Sequence, residues 1–262
     1  MRNESQPTAE TRPSRTSSLD ARQTLPLPTP RCVILDVDRT LMEPGEVFSA
    51  EGYAAMGERC GLALDPARRL EGQAAALAAY RANYHAKELL HDDDVFARFA
   101  EIVVRVMAGP EADESAVKAC AGGVLAAWNS YENFALYTDV EPCLERLHEA
   151  GLRVALLSNT NRDLEAIVDH FGLRSLIAAA VSSAQVGHVK PSPRIFAAAL
   201  DALRARADET VMVGDSYEED VRGALAAGLG AILLDRGGCA PRRHDDCPTI
   251  TSLLDLPPAL GI

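Results

Sequence analysis

The chain has 262 residues, 47% of them hydrophobic and 24% charged, which is the composition of a globular protein with room for one large or two ordinary domains. Its formal net charge of −12 argues against nucleic acid and anionic membrane as partners, because both recruit basic patches. No apolar run approaches the roughly 18–20 residues of a membrane span.

Six cysteines lie scattered at 32, 60, 120, 143, 239 and 247. With no Cys-x-x-Cys and no visible secretory segment, they read as reduced thiols of a cytoplasmic protein. Cys239, His244 and Cys247 offer only three metal ligands at an irregular spacing, and read as a solvated loop.

Residues 1–30 contain Pro, Ser, Thr and Arg with little apolar content and no periodicity, and are expected to be a disordered tail. Cys32-Val33-Ile34-Leu35 then forms a continuous apolar run, the pattern of a strand buried on both faces in a parallel sheet. Asp36 and Asp38 end it, because burying unpaired carboxylates costs several kcal/mol. They should therefore sit at the carboxyl end of the strand, where ligands bind in open α/β sheets. Two acids this close stay ionised together when a cation lies between them.

Residues 46–138 show helical periodicity and no convincing strand. Residues 67–90 are alanine-rich. Asp92 or Asp93 caps a helix through Val95, Phe99, Ile102 and Val106, ended by Gly109-Pro110, and another helix runs from about Asp113 to Trp128. This is an all-α insert of roughly 90 residues. Arg81, His85, Lys87, His91, Trp128 and Tyr131 are its prominent polar and aromatic residues, each read as surface or core.

The pattern then alternates. Val140, Cys143, Leu144 and Leu147 mark a helix face, followed by a strand at Arg153–Leu157 running into Ser158-Asn159. A helix through Leu164, Ile167 and Val168 leads to a strand at 177–182. Lys190-Pro191 precedes a helix capped by Ser192-Pro193. Strands at Thr210–Val213 and Ala231–Leu234 flank a helix through Val221 and Ala224, and residues 249–256 form a short last strand and helical turn. Alternating units fold as a doubly wound parallel α/β sheet with right-handed crossovers. The organisation read from this is a core of 31–45 and 139–262 with 46–138 as an inserted helical cap.

Such a sheet gathers Asp36, Asp38 and Thr40, then Ser158 and Asn159, Lys190, and Asp215, Glu219 and Asp220 along one rim. Carboxylates, a lysine and hydroxyls suit a phosphoryl group with Mg²⁺, a hard ion that takes a few carboxylates plus phosphate and water oxygens. A carboxylate can attack phosphorus and form an aspartyl-phosphate. A second acid two residues on can protonate the leaving oxygen and then activate water.

Asp36-Val37-Asp38-Arg39-Thr40-Leu41, Ser158-Asn159, Lys190-Pro191 and Gly214-Asp215-Ser216-Tyr217-Glu218-Glu219-Asp220, in that order, resemble the four motifs of the haloacid dehalogenase-like hydrolase superfamily. The resemblance covers roughly residues 31–256 and is to its phosphatase-type members with a cap after the first strand. It implies a Rossmann-like core. Asp36 would be nucleophile and magnesium ligand, and Asp38 general acid and base with its main-chain carbonyl on the metal. Thr40 would orient Asp38, while Ser158, beside Asn159, would bind the phosphoryl group. Lys190 would neutralise Asp36 and the phosphoryl charge. Asp215 would hold magnesium, and Asp220 would support the metal or Lys190, with Glu219 as its competitor. Arg39 stands where the family often has Gly, and would meet a second anionic group of the substrate or narrow the entrance. Glu219 stands where Asn is common.

The expected activity is Mg²⁺-dependent hydrolysis of a small phosphorylated metabolite, by a monomer or homodimer. A phosphosugar mutase would share all four motifs. Dehalogenases generally lack the second acid, so Asp38 opposes that reaction, and phosphonatases need a cap lysine, for which only Lys87 and Lys118 stand available. A non-catalytic binding protein is opposed by the complete set of acids and lysine.

Overall fold

The computed structural model describes residues 30–82, 92–237 and 244–262. Of the expected tail, only Pro30 lies among them. His85, Lys87, His91 and Cys239 lie outside the described residues, as does the side chain of Arg81.

In chain order the strands are β1 (Cys32–Leu35), β2 (Met42–Pro44), β3 (Phe134–Leu136), β4 (Arg153–Ser158), β5 (Ala179–Ser182), β6 (Thr210–Gly214), β7 (Gly230–Leu234) and β8 (Thr249–Ile250). The helices are α1 (Ala50–Arg59), α2 (Arg69–Ala82), α3 (Asp92–Ala108), α4 (Glu114–Asn129), α5 (Val140–Glu149), α6 (Leu164–His170), α7 (Ser183–Val186), α8 (Pro193–Leu203), α9 (Arg222–Ala226) and α10 (Leu256–Ala259).

The main sheet is wholly parallel, in the order β5-β4-β1-β6-β7-β8. The chain winds outward from β1 through β4 to β5, then returns to β6 on the other side. That reversal makes the carboxyl end of β1 the switch point where such sheets open a crevice. Every residue of β1 is fully buried, which is why its sequence runs apolar without alternating. Its side chains still alternate in space. Val33 and Leu35 join a core with α5, α6 and the helical insert, while Cys32 and Ile34 join a second core with α8 and α9.

Two of the expected helices form where their caps predicted, while α3 runs over Asp92–Ala108 with the side chains of Asp92 and Asp93, its expected caps, outside the described residues. Asp113 accepts the N–H of Ala116 at 2.9 Å to start α4, and Ser192 with Pro193 starts α8. Two corrections concern the rest. The insert is not free of strands, because β3 pairs antiparallel with β2 through Met42–Leu136, Glu43–Ala135 and Pro44–Phe134. This ladder ties the outgoing and returning linkers of the helical insert together. The expected helix through Val221 begins with a wide π-type turn over Tyr217–Val221 before α9. Among the described residues no helix is long and apolar enough to cross a membrane, and Cys32, Cys60, Cys120, Cys143 and Cys247 are all free thiols.

The linkers are also pinned to the sheet. Arg236, just past β7, donates to both oxygens of Asp139 at 2.9 Å and to the carbonyl of Thr40 at 2.7 Å. Its guanidinium carbon lies 3.8 Å from the Tyr137 ring centroid. Asp139 also accepts from Ser252 Oγ at 2.7 Å and Leu253 N–H at 2.9 Å. Burial alone would raise the Asp139 carboxyl, but these donors outweigh it and hold it below the ordinary aspartate value. Asp139→Ala is expected to cost roughly 2–4 kcal/mol, since it strands a largely buried guanidinium. Because the native carboxyl is depressed, this contribution is full above the unfolded pKa of about 4 and fades as pH falls through the native value. Urea unfolding at neutral pH and at about pH 3 reads both; equal stability of variant and wild type at neutral pH contradicts the node.

Candidate active site

Asp36 leaves β1 with its N–H donating to Val213 O on β6 at 2.9 Å. The chain then turns sharply, with Leu41 N–H and Met42 N–H both donating to Val37 O at 2.8 and 3.0 Å. This turn brings Asp36 and Asp38 to one cavity. Arg39 sits in the turn at φ 64°, a left-handed conformation that costs a side-chain-bearing residue about 1 kcal/mol and a glycine nothing.

The cavity at this rim measures about 230 Å³, below the size usual for drug-like ligands. Asp36, Asp38, Arg39, Ser158, Asn159, Lys190, Asp215 and Asp220 all line it, joined by Ser216, Glu219 and Trp128. Of the expected site residues only Thr40 stands off the wall. It is fully buried with a hydroxyl that has no hydrogen-bond partner, while its carbonyl is held by Arg236.

Lys190 is the centre of the polar network. Its Nζ donates to Asp36 Oδ1 at 2.7 Å, Asp220 Oδ1 at 2.6 Å and the Leu157 carbonyl at 3.2 Å. Burial would lower the ammonium's pKa, but the carboxylates of Asp220 and Asp36 outweigh it and hold it above the ordinary lysine value. Asn159 fixes the main chain of Lys190 from both sides, accepting its N–H at 2.6 Å and donating to its carbonyl at 3.1 Å. The remaining oxygen of Asp220 accepts the Ser216 N–H at 2.9 Å. Gly214 is required here, because a Cβ at that position would lie 2.2 Å from Asp220 Oδ2.

Oxygens of Asp36, Asp215 and Asp220 all fall within 4.8 Å of one another. Three hard carboxylate donors suit a hard divalent cation such as Mg²⁺ rather than a soft metal. Asp220 has both oxygens engaged already, so Asp36 and Asp215 are the freer donors. Burial, with the neighbouring Asp36 charge, pushes the Asp215 carboxyl up to about 7. Its salt-bridge partner is Arg39, Nε to Oδ2 at 3.3 Å. Five carboxylates and two cations line the cavity, an imbalance that a bound cation would relieve.

Glu219 accepts from the Tyr80 hydroxyl on α2 and from Asn159 Nδ2, the latter at 3.2 Å. The insert thus reaches the site through Tyr80 and through Trp128, which lines the cavity while stacking on Phe96 at 4.4 Å between centroids. Trp128 therefore belongs to the core and to the cavity wall together. Tyr131 packs instead against His170 at 4.9 Å. Lys118 is exposed beside Glu114, its Nζ 3.6 Å from Oε1. His244 stacks on Tyr217 at 3.4 Å.

Arg162 is the residue that sequence reasoning did not single out. It follows Ser158-Asn159 by a few positions, and a polar run ahead of α6 reads as solvated loop. Yet its side chain is only 2% exposed and its Nη2 pairs with Asp38 Oδ2. Burial pushes the Asp38 carboxyl up, and Arg162 opposes that shift.

Residues 30–228 match the family described as hydrolase, haloacid dehalogenase-like hydrolase. The chain is 36% identical to a ribulose-1,5-bisphosphate 5-phosphatase of Halopiger xanaduensis over 42% of its own length and 47% of the relative's. It is 39% identical to a phosphoserine phosphatase of Thermus thermophilus over 40% and 42%. The chain thus spans about half the length of these curated relatives. The crystal structure of the HAD-hydrolase YfnB from Bacillus subtilis superposes with a TM-score of 0.68 at 20% identity, covering 89% of this chain and 99% of that one; at this identity the likeness is one of fold. With the family match extending over most of the chain, the chain belongs to the haloacid dehalogenase-like hydrolases.

Proposed function

We propose that the chain is a Mg²⁺-dependent phosphatase that hydrolyses a small phosphorylated metabolite through a covalent aspartyl-phosphate on Asp36. The observation that carries this reading is the fixed pair of Asp36 and Lys190 on the cavity floor, 2.7 Å apart, with a second acid, Asp38, on the same wall. An Asp36 oxygen attacks phosphorus as the bond to the ester oxygen breaks. Asp38 gives that oxygen its proton, then takes one from the water that attacks the aspartyl-phosphate. Lys190 and the Ser158 hydroxyl meet the phosphoryl charge. Asn159 keeps Lys190 in place, and Thr40 shapes the turn that carries Asp38. Asp36, Asp215 and the main-chain carbonyl of Asp38 would hold Mg²⁺, which supplies positive charge to the phosphoryl oxygens when bound. Asp220 serves Lys190.

Residues 46–138 act as a cap over a core of 31–45 and 139–262, and their contacts through Trp128 and Tyr80 would close the cavity over the leaving group. The named phosphatase relatives and the cavity of about 230 Å³ support a small substrate. Arg39, exposed at the wall and held in a strained conformation, is read as the contact for a second anionic group, since strain of this kind persists where function keeps it.

Phosphate release from a panel of phosphate esters, with Mg²⁺ and with EDTA, tests the reading. Release is expected to require Mg²⁺, and Asp36→Asn is expected to remove more than about 10³-fold of kcat; near-wild-type activity of that variant sinks the covalent route. Isomerised sugar phosphate with little free phosphate points to the mutase instead. In the same panel Arg39→Gly should lower kcat/KM about tenfold on phosphoserine, while glycerol 2-phosphate changes less than about threefold. Equal effects on both esters remove Arg39 from specificity.

A further inference from the structure

Arg162 is a buried guanidinium far in sequence from the acid it contacts. A cation at 2% side-chain exposure is tolerated only where a charge partner and hydrogen bonds replace water. Asp38 is its ion-pair partner, and Nε donates to Thr160 Oγ1 at 3.1 Å. The other face of the group is covered by aromatic rings. The guanidinium carbon lies 4.9 Å from the Phe134 centroid and 5.5 Å from that of Trp128, while Nη1 is buried without a hydrogen-bond partner. Ring faces favour a cation in this position and leave it little room to swing away.

The two Asp38 oxygens are thereby made unequal. Oδ2 takes the permanent donor of Arg162, whereas Oδ1 is buried and has no hydrogen-bond partner, and the side chain keeps 21% exposure where it lines the cavity. Trp128 also lines the cavity, so the insert packs on the cation that sets the acid.

We propose that Arg162 is a positioning residue that fixes the Asp38 carboxyl in the orientation it presents at the cavity wall. This rests on the phosphatase reading above, with Asp38 as general acid toward the ester oxygen. The P–O ester bond breaks with its electron pair on the leaving oxygen, and the proton of the Asp38 carboxyl goes to that oxygen. Arg162 itself exchanges no proton.

The test is a leaving-group comparison. p-Nitrophenolate leaves without a proton, whereas an alkoxide needs one. Arg162→Met and Arg162→Lys are assayed in Mg²⁺ on glycerol 2-phosphate and on p-nitrophenyl phosphate, with circular dichroism as a fold control. For Arg162→Met, kcat/KM is expected to fall about 100-fold on the alkyl ester, and by about a tenth as much on the aryl ester. Arg162→Lys, which keeps a donor, is expected to recover part of the alkyl-ester loss. A purely structural role would lower both esters equally, and that result, or no loss on either, overturns the proposal. Should Arg162→Met fail to fold, the same alkyl-to-aryl ratio is read on Arg162→Lys, where a ratio of one is the overturning result. Asp36→Asn in the same assay separates the two ideas. If it stays active the phosphatase route itself is wrong; if it is dead while Arg162 variants lose both esters equally, only the positioning role is wrong.

Discussion

The buried ammonium of Lys190 is the constraint on which the site depends. A lone ammonium at 2% exposure would neutralise or refuse burial. Here Asp36, Asp220 and the Leu157 carbonyl all accept from it. Those three acceptors come from β1, the turn after β6 and β4, the central strand and both of its neighbours. Misplacing any one leaves a charge uncompensated in the interior. The network therefore sets strand register and site geometry together, and Asn159 extends it by gripping both polar groups of the Lys190 main chain.

Much of this was legible in the amino-acid sequence, for a physical reason. Parallel strands buried on both faces leave uninterrupted apolar runs, and a polar residue that stops such a run must sit at a strand end. Asp36, Ser158 and Asp215 were found that way, and Lys190 by its place before the Ser192-Pro193 cap. The β2–β3 ladder was hidden because three residues are too few to display an alternation, and helical periodicity surrounds them. Arg162 and Arg236 were hidden for another reason. Both look like loop cations, and each is held by partners remote in the chain: Asp38, Trp128 and Phe134 for one, Thr40, Tyr137 and Asp139 for the other. No local pattern records such a meeting.

The two hidden arginines do related work at the root of the helical insert. Arg236 holds the Thr40 carbonyl on the outgoing linker and Asp139 on the returning one, while β2 and β3 zip the linkers between them. Arg162 packs on Phe134, at the start of β3, and on Trp128, at the end of α4. The turn that carries Asp38 is thus gripped on one side by the sheet and on the other by the insert.

The cations at the site differ in how freely they can change partners. Lys190 and Arg162 are both 2% exposed, Lys190 committed to the carboxylates of Asp36 and Asp220 and Arg162 to that of Asp38. Removing a partner from either would strand a charge in a low-dielectric interior, at a cost of several kcal/mol. The Arg39 side chain is 61% exposed and its pair with Asp215 is a single contact of 3.3 Å. A pair so open to solvent is worth about 1 kcal/mol or less. If a metal ion takes over Asp215, Arg39 gives up little by turning to an anion in the cavity. On the phosphatase reading proposed above, the buried cations are therefore suited to holding the reacting groups in place, and the exposed one to telling substrates apart.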